Sequence, residues 1–182
     1  MAHNINYNEQ TRRYSFFSVK EKAWHGLGQI VKQYPTSEEA IKHAGLDYEV
    51  VKSPLFTNGS EIITDFNHLE MNQNTLEVPN YFANIRTDNN TVLGVVGKDY
   101  HIVQNHEAFN FFDAIVGGDE GILYETAGAL GKGERIFITA KLPDYIRVGN
   151  GDDVTEKYIF LTTSHDGSGS ITAAFTPVRI VC

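Results

Sequence analysis

Along the chain, polar and apolar positions change their period twice. The first 30 residues show no sustained period. Tyr7, Tyr14, Phe16, Phe17 and Trp24 alternate there with Arg12, Arg13, Lys20 and Lys22, and residues 1–35 read as an ordered extended arm. Thr36 followed three residues later by Glu39 is a capping box, in which the hydroxyl takes an orphan N–H of the first turn and the carboxylate reaches back to the cap. Ala40, Ile41 and Ala44 then give one apolar face before Gly45, which predicts a short helix with Pro35 just ahead of its start. Tyr48–Lys52 reads as a strand, Asn58-Gly59 as a turn, and Asn67–Asn80 as a polar, weakly patterned stretch. Tyr81–Arg86 and Val92–Val96 are β-rich runs joined across Asp88-Asn89-Asn90, the pattern of a hairpin. A short strand is expected near Tyr100–Val103. Asn105 is then expected to cap a helix that carries Phe109, Phe112, Ile115 and Val116 at helical spacing and ends at Gly117-Gly118.

The remainder has the period of strands. Ile122–Leu130, Arg135–Leu142, Lys157–Ser164 and Ile171–Val181 are separated by Gly131-Lys132-Gly133, Gly149-Asn150-Gly151 and Asp166-Gly167-Ser168-Gly169, which predicts an antiparallel meander. Ile136, Ile138, Ala140 and Leu142 alternate with Arg135, Phe137, Thr139 and Lys141, so one face is expected in the core and the other partly solvated or covered by a helix. The fold class expected is α+β, an antiparallel meander sheet with helices packed on one face. Phe109, Phe112, Ile136, Ile138, Ile159 and Leu161 are the expected core. The chain is read as one domain over 1–182: the arm, a helix with strands and a hairpin over 36–105, and a helix with the four-stranded meander over 106–182.

Composition narrows the function classes. With 182 residues, 41% hydrophobic and 21% charged, the chain has the make-up of an ordinary globular domain. No run approaches the ~20 apolar residues of a spanning helix, and Met1–Gln10 is polar instead of basic and then apolar, so neither a membrane span nor a signal peptide is expected. The single cysteine has no internal disulfide partner, which suits a reducing cytoplasm. A net charge of −8 and a pI near 5.3 run against a protein whose affinity rests on neutralising phosphates. The acidity is distributed, with 9 basic and 12 acidic residues up to Asn105 and 6 and 11 after it.

Few local patterns carry chemistry. Gly128–Gly133 with Lys132 resembles a phosphate loop only in part: Thr126 stands where that loop needs a glycine, and the run joins two strands, so a hairpin turn is the reading. His165-Asp166 is a pair seen in metal-dependent phosphohydrolases, and His25, His101 and His165 would need to converge with Asp166 to hold a metal. Ser164, Ser168 and Ser170 around that pair suit a turn better than a nucleophile elbow. Cys182 reads as a core position before a reactive thiol. Trp24-His25-Gly26-Leu27-Gly28 is the most distinctive run: its glycines permit positive φ or close approach, and Trp24 is expected to pin the arm to the core, in preference to lining a ligand site. Trp24, His25, His101, His165 and Asp166 form the candidate polar cluster; no catalytic residue, metal or cofactor is assigned.

Ala23-Trp24-His25-Gly26-Leu27-Gly28, Val96-Gly97-Lys98-Asp99-Tyr100 running into Gln104-Asn105, Glu125-Thr126-Ala127-Gly128, Thr163-Ser164-His165-Asp166-Gly167-Ser168 and Val178-Arg179-Ile180-Val181-Cys182 together resemble the phage/plasmid-like protein family of unknown function carried on mobile elements. The resemblance spans nearly the whole chain. It implies that the chain is the N-terminal part of a longer protein that continues past Cys182 into an asparagine-threonine segment and a long helical region. The leading functional expectation is nucleic-acid handling similar to phage single-strand annealing proteins, with Lys132, Arg135, Lys157 and Arg179 as candidate contacts. An acidic protein-interaction module in phage–host or plasmid–host conflict, and a metal-dependent hydrolase, are the alternatives. The partners expected are accordingly a single-stranded nucleic acid or a host protein, with no membrane; an oligomer is compatible with either.

Overall fold

The computed structural model describes residues 4–58, 75–116, 123–147 and 154–176. The N-terminal segment is extended, and it is also woven into the sheets. β1 (Tyr7–Asn8) and β2 (Arg13–Tyr14) form a two-stranded ribbon whose turn is held by Asn8 Oδ1, which accepts the N–H groups of Gln10 and Thr11 at 3.0 and 3.1 Å. β3 (Phe16–Val19) and β4 (Gln29–Val31) pair in parallel.

α1 (Ser37–Ala44) starts at the expected capping box: Thr36 Oγ1 accepts Glu39 N–H at 3.3 Å and Glu39 Oε2 accepts Thr36 N–H at 2.9 Å. It ends at Gly45, left-handed at φ 63°. β5 (Val50–Asn58), β6 (Thr75–Arg86) and β7 (Val92–Gly97) make a three-stranded antiparallel sheet that includes the expected hairpin.

α2 (Asn105–Val116) follows a segment that is not the strand expected near Tyr100–Val103. The edge of β5 is already taken there by a side chain: Gln104 Oε1 accepts Val50 N–H at 2.9 Å and Gln104 Nε2 donates to Val50 O at 2.8 Å. Nor is Asn105 the cap. The first helical bond runs from Ala108 N–H to Gln104 O, and Glu107 accepts the N–H of Gln104, which leaves the Asn105 side chain to turn inward.

β8 (Leu123–Leu130), β9 (Arg135–Arg147), β10 (Val154–Ser164) and β11 (Thr172–Thr176) form the predicted meander. The arm extends it to a six-stranded sheet in the order β11-β10-β9-β8-β3-β4, antiparallel except for β3–β4. The fold is thus mixed α and β, mostly strand. Gly59, Gly117-Gly118, Gly149-Asn150-Gly151, Arg179 and Cys182 lie outside the described residues.

Ala40 and Ala44 of α1 and Phe109 and Phe112 of α2 pack on one face of the six-stranded sheet, against Phe17, Val19, Ile136, Ile138, Ile159 and Leu161. Every expected core residue is therefore buried. The opposite face of β9 is partly solvated, as expected, at Arg135 and Lys141, and its middle is covered by the N-terminal segment: Phe137 packs with Ile5, Phe16 and Ala23. This is where the expectation for Trp24 fails. Ala23 is buried and the indole beside it is 64% exposed, because the small residue fits under the sheet and the large one points away.

Gly28 shows how tightly the arm is fitted, since it sits at φ +78° and a Cβ there would lie 2.4 Å from the carbonyl oxygen of Phe16. Gly28→Ala is expected to cost at least about 2 kcal/mol in chemical denaturation, combining left-handed strain with backbone displacement. Gly97→Ala, with nothing within 4 Å of the added carbon, is the control and should shift stability by under ~1 kcal/mol. Equal effects of the two would refute the packing argument.

Candidate functional site

The two sheets are joined by polar groups that face inward. On β6, Phe82, Asn84 and Arg86 share a face, and that face looks into the protein; Asn84 and Arg86 are fully buried. A buried guanidinium is costly unless its donors are met. Arg86 makes a two-pronged bond to Asp88, Nε to Oδ1 at 2.9 Å and Nη2 to Oδ2 at 2.7 Å, while Nη1 donates to Lys132 O at 2.8 Å and Asn6 Oδ1 at 3.2 Å. Its Cζ lies 3.8 Å above the ring of Tyr48, whose hydroxyl donates to Gly133 O at 2.8 Å. Burial outweighs the nearby guanidinium charge and pushes the Tyr48 phenol up to about 12.

His165 lies on the same side. Its N–H donates to Glu134 O at 2.7 Å, and its carbonyl accepts from Asn84 Nδ2 at 2.6 Å. Asn105 Nδ2 donates to the carbonyls of Leu46 and Tyr48, so Asn105 Oδ1 is the atom 2.9 Å from His165 Nε2, and that ring nitrogen must be the donor. Nδ1 keeps its lone pair, buried and without a hydrogen-bond partner, as does Asn84 Oδ1. Burial, reinforced by the Arg86 charge, brings the imidazole down to about 4. This network is a latch between sheets, with no exposed reactive atom.

The candidate polar cluster does not assemble around one point. His25 packs edge-on against Phe16 at 4.9 Å, on the sheet face opposite the helices, whereas His165 packs toward Tyr48 on the helix face. His101 is exposed on the segment before α2. Asp166 closes a turn by accepting Ser168 N–H at 2.8 Å, and the adjoining Ser164 Oγ donates to Gly169 O and accepts its N–H, both at 2.9 Å. Partial burial raises the Asp166 carboxyl, but the Ser168 and Ser164 hydrogen bonds and the Arg135 charge outweigh it and hold it below the usual range. Among the described residues no group of three or more His, Cys, Asp or Glu side chains could hold a metal.

Of the candidate nucleic-acid contacts, Lys132 and Arg135 are exposed together at the β8–β9 turn, and Arg135 also donates to Ser168 at 3.2 Å. Lys157 sits at the β10 bulge, seven residues from the Ser164 that pairs with Arg135, which places it about 23 Å along the strand. It shares no patch with them.

A different basic site does form, from residues far apart in sequence. The β1–β2 ribbon, the start of β4 and the C-terminal turn of α1 enclose a cleft of about 910 Å³. Arg12, Arg13, Lys42, His43 and Tyr14 line it with the neutral donors Gln10, Thr11 and Gln29. The two carboxylates of the lining are Asp47 and Asp88; Asp88 is matched by Arg86 and Lys42 by Glu38 at 3.0 Å, so Arg12 and Arg13 against Asp47 leave an excess of one positive charge. Tyr14 stands beside Tyr7, ring centroids 5.0 Å apart, both exposed. The signal in the sequence was the interleaving of arginines and aromatics in the arm; its pairing with Lys42 and His43 depends on the fold.

Comparison with known proteins gives one finding: a sequence model of the family described as "Domain of unknown function (DUF932)" matches residues 92–182, from β7 through the meander. No curated protein and no solved structure matches the chain.

The latch has a pH signature. An unfolded histidine takes up a proton near pH 6.5, whereas buried His165 resists it until about pH 4, so the unfolded state gains protons first as pH falls. Stability is therefore full above about pH 6.5 and is lost toward pH 4, by up to roughly 3 kcal/mol. His165→Gln retains a donor for Asn105 but cannot titrate. Urea denaturation across this window should give a flatter profile for the variant, and parallel profiles would show that His165 is not the titrating group.

Proposed function

The chain belongs to the DUF932 family, whose function is unknown, and from that premise we propose that it is a nucleic-acid-handling protein of mobile elements, similar to single-strand annealing proteins. The observation that carries this reading is the cleft that gathers Arg12, Arg13, Lys42 and His43 beside Tyr14. Binding a single strand without regard to sequence needs a positive groove for the backbone and aromatic faces for the bases. The cleft is concave and pairs cations with an aromatic face, which suits an unpaired strand with its bases free to stack.

The chain carries a net charge of −8, so association with a polyanion rests on the local excess of positive charge at the cleft.

Titration of a labelled oligonucleotide at two salt concentrations is expected to show binding that weakens as salt rises. Arg12→Ala with Arg13→Ala should weaken it about tenfold or more and reduce the slope of log affinity against log salt by about 1.4. Lys132→Ala with Arg135→Ala reports separately on the β8–β9 turn. Absence of binding at low salt would discard the reading.

A second reading is favoured by one observation. The outer face of the three-stranded sheet exposes Val51, Tyr81, Val92 and Val95, an apolar surface that suits a protein-interaction module in phage–host or plasmid–host conflict. On that reading a host protein held by the wild type is released by Tyr81→Lys with Val95→Lys. Retention by the double variant would exclude this face.

A further inference from the structure

We infer that Trp24 is a nucleobase-stacking platform, and that the ligand of the neighbouring cleft is therefore a base-bearing single strand whose backbone lies along Arg12, Arg13, Lys42 and His43. This rests on the single-strand reading above.

The local structure holds the indole out in solvent. Trp24 is 64% exposed although its neighbours on both sides pack inward: Ala23 is buried and the ring of His25 sits edge-on to buried Phe16 at 4.9 Å. The indole in turn meets the His25 ring edge-on, 5.5 Å between centroids at 70°. The turn beneath is fixed by Gly26 N–H to Ala23 O at 2.9 Å and by Leu27 N–H to His25 Nδ1 at 3.0 Å. Gly26 at φ +72° and Gly28 at φ +78° take backbone conformations that side chains disfavour. Such a pedestal gives an exposed aromatic a fixed orientation, so little side-chain entropy is lost when a flat ligand stacks on it.

Position links it to the cleft. Gly28, four residues after Trp24, lines the cleft wall, so the Cα atoms of the two lie within about 14 Å by chain length alone. Lys22 lies over Gly26, with its Nζ 3.3 Å from where a Cβ would stand, so an ammonium group sits on the same turn. An exposed aromatic face on the segment that leads into a basic cleft supplies the base-stacking surface that single-strand binding uses. DNA and RNA share that chemistry.

Trp24 is the sole tryptophan of the chain, so its fluorescence reports this site directly. Three labelled probes of about twelve nucleotides, oligothymidylate, oligouridylate and an abasic sugar-phosphate strand, are titrated at low salt and followed by anisotropy and by indole emission. Quenching by either base-bearing strand, and weaker binding without quenching by the abasic one, is expected. Trp24→Ala should lower affinity for the base-bearing strands about ten- to a hundredfold, leave abasic binding unchanged, and keep the wild-type thermal melt. Equal binding of all three strands with unchanged emission would overturn the stacking inference and leave the single-strand reading standing. A preference for bases that survives Trp24→Ala would overturn it too, moving the contact elsewhere. No binding of any strand would overturn both.

Discussion

A guanidinium with no access to water has to find its acceptors inside the protein, and Arg86 finds them on separate parts of the chain. Asp88 comes from its own hairpin, Asn6 from the N-terminal segment, Lys132 O from the β8–β9 turn, and the ring of Tyr48 from the segment that leads into β5. Removing one partner of such a charge costs more than the bond itself, because the remainder stays buried and unmet. The positions of these segments are therefore set together. Gly133 belongs to the same constraint, since a Cβ there would lie 2.4 Å from Arg86 Nη1.

The second latch uses neutral groups to a similar end. Asn84 on β6 holds the carbonyl of His165, Asn105 at the start of α2 holds its ring, and Gly94 on β7 lets the backbone of Asp166 approach to where a Cβ would stand at 2.6 Å. Three elements thus close on the β10–β11 turn. The histidine stays neutral as a consequence of this closure, and the aspartate beside it accepts the Ser168 N–H within the turn. The serine, histidine and aspartate brought together by sequence are a structural turn in space.

The elements were legible where a single period or a local motif decides them: the capping box at Thr36, the hairpin across Asp88–Asn90, the meander, and the core residues at alternate positions of β9 and β10. What escaped were contacts made across the fold. Asn84 and Arg86 lie on the inward face of β6, where alternation alone would place them in solvent, and only the acceptors brought by distant segments make their burial tolerable. Asn105 was taken as a cap because its local chemistry allows it, but its side chain is drawn inward by the carbonyls of Leu46 and Tyr48. Gln104 cancels a strand by occupying the edge of β5 itself. Trp24 was assigned to the core by size, yet the space under the sheet next to Phe16 accepts alanine.

That last difference changes what the arm is for. Residues 12–31 complete the main sheet through β3 and β4, and the same stretch presents Arg12 and Arg13 at one end and Trp24 nearer the other. The inward positions, Phe16, Phe17, Val19 and Ala23, are buried, whereas Tyr14 and Trp24 face outward, where their rings meet those of Tyr7 and His25. A large apolar ring on a rigid, exposed turn gives up favourable burial, roughly 2–3 kcal/mol for a side chain of that size. The stacking proposed above would recover that burial. The basic and aromatic character of the arm, which looked aperiodic along the sequence, becomes ordered once the sheet assigns each residue to a face.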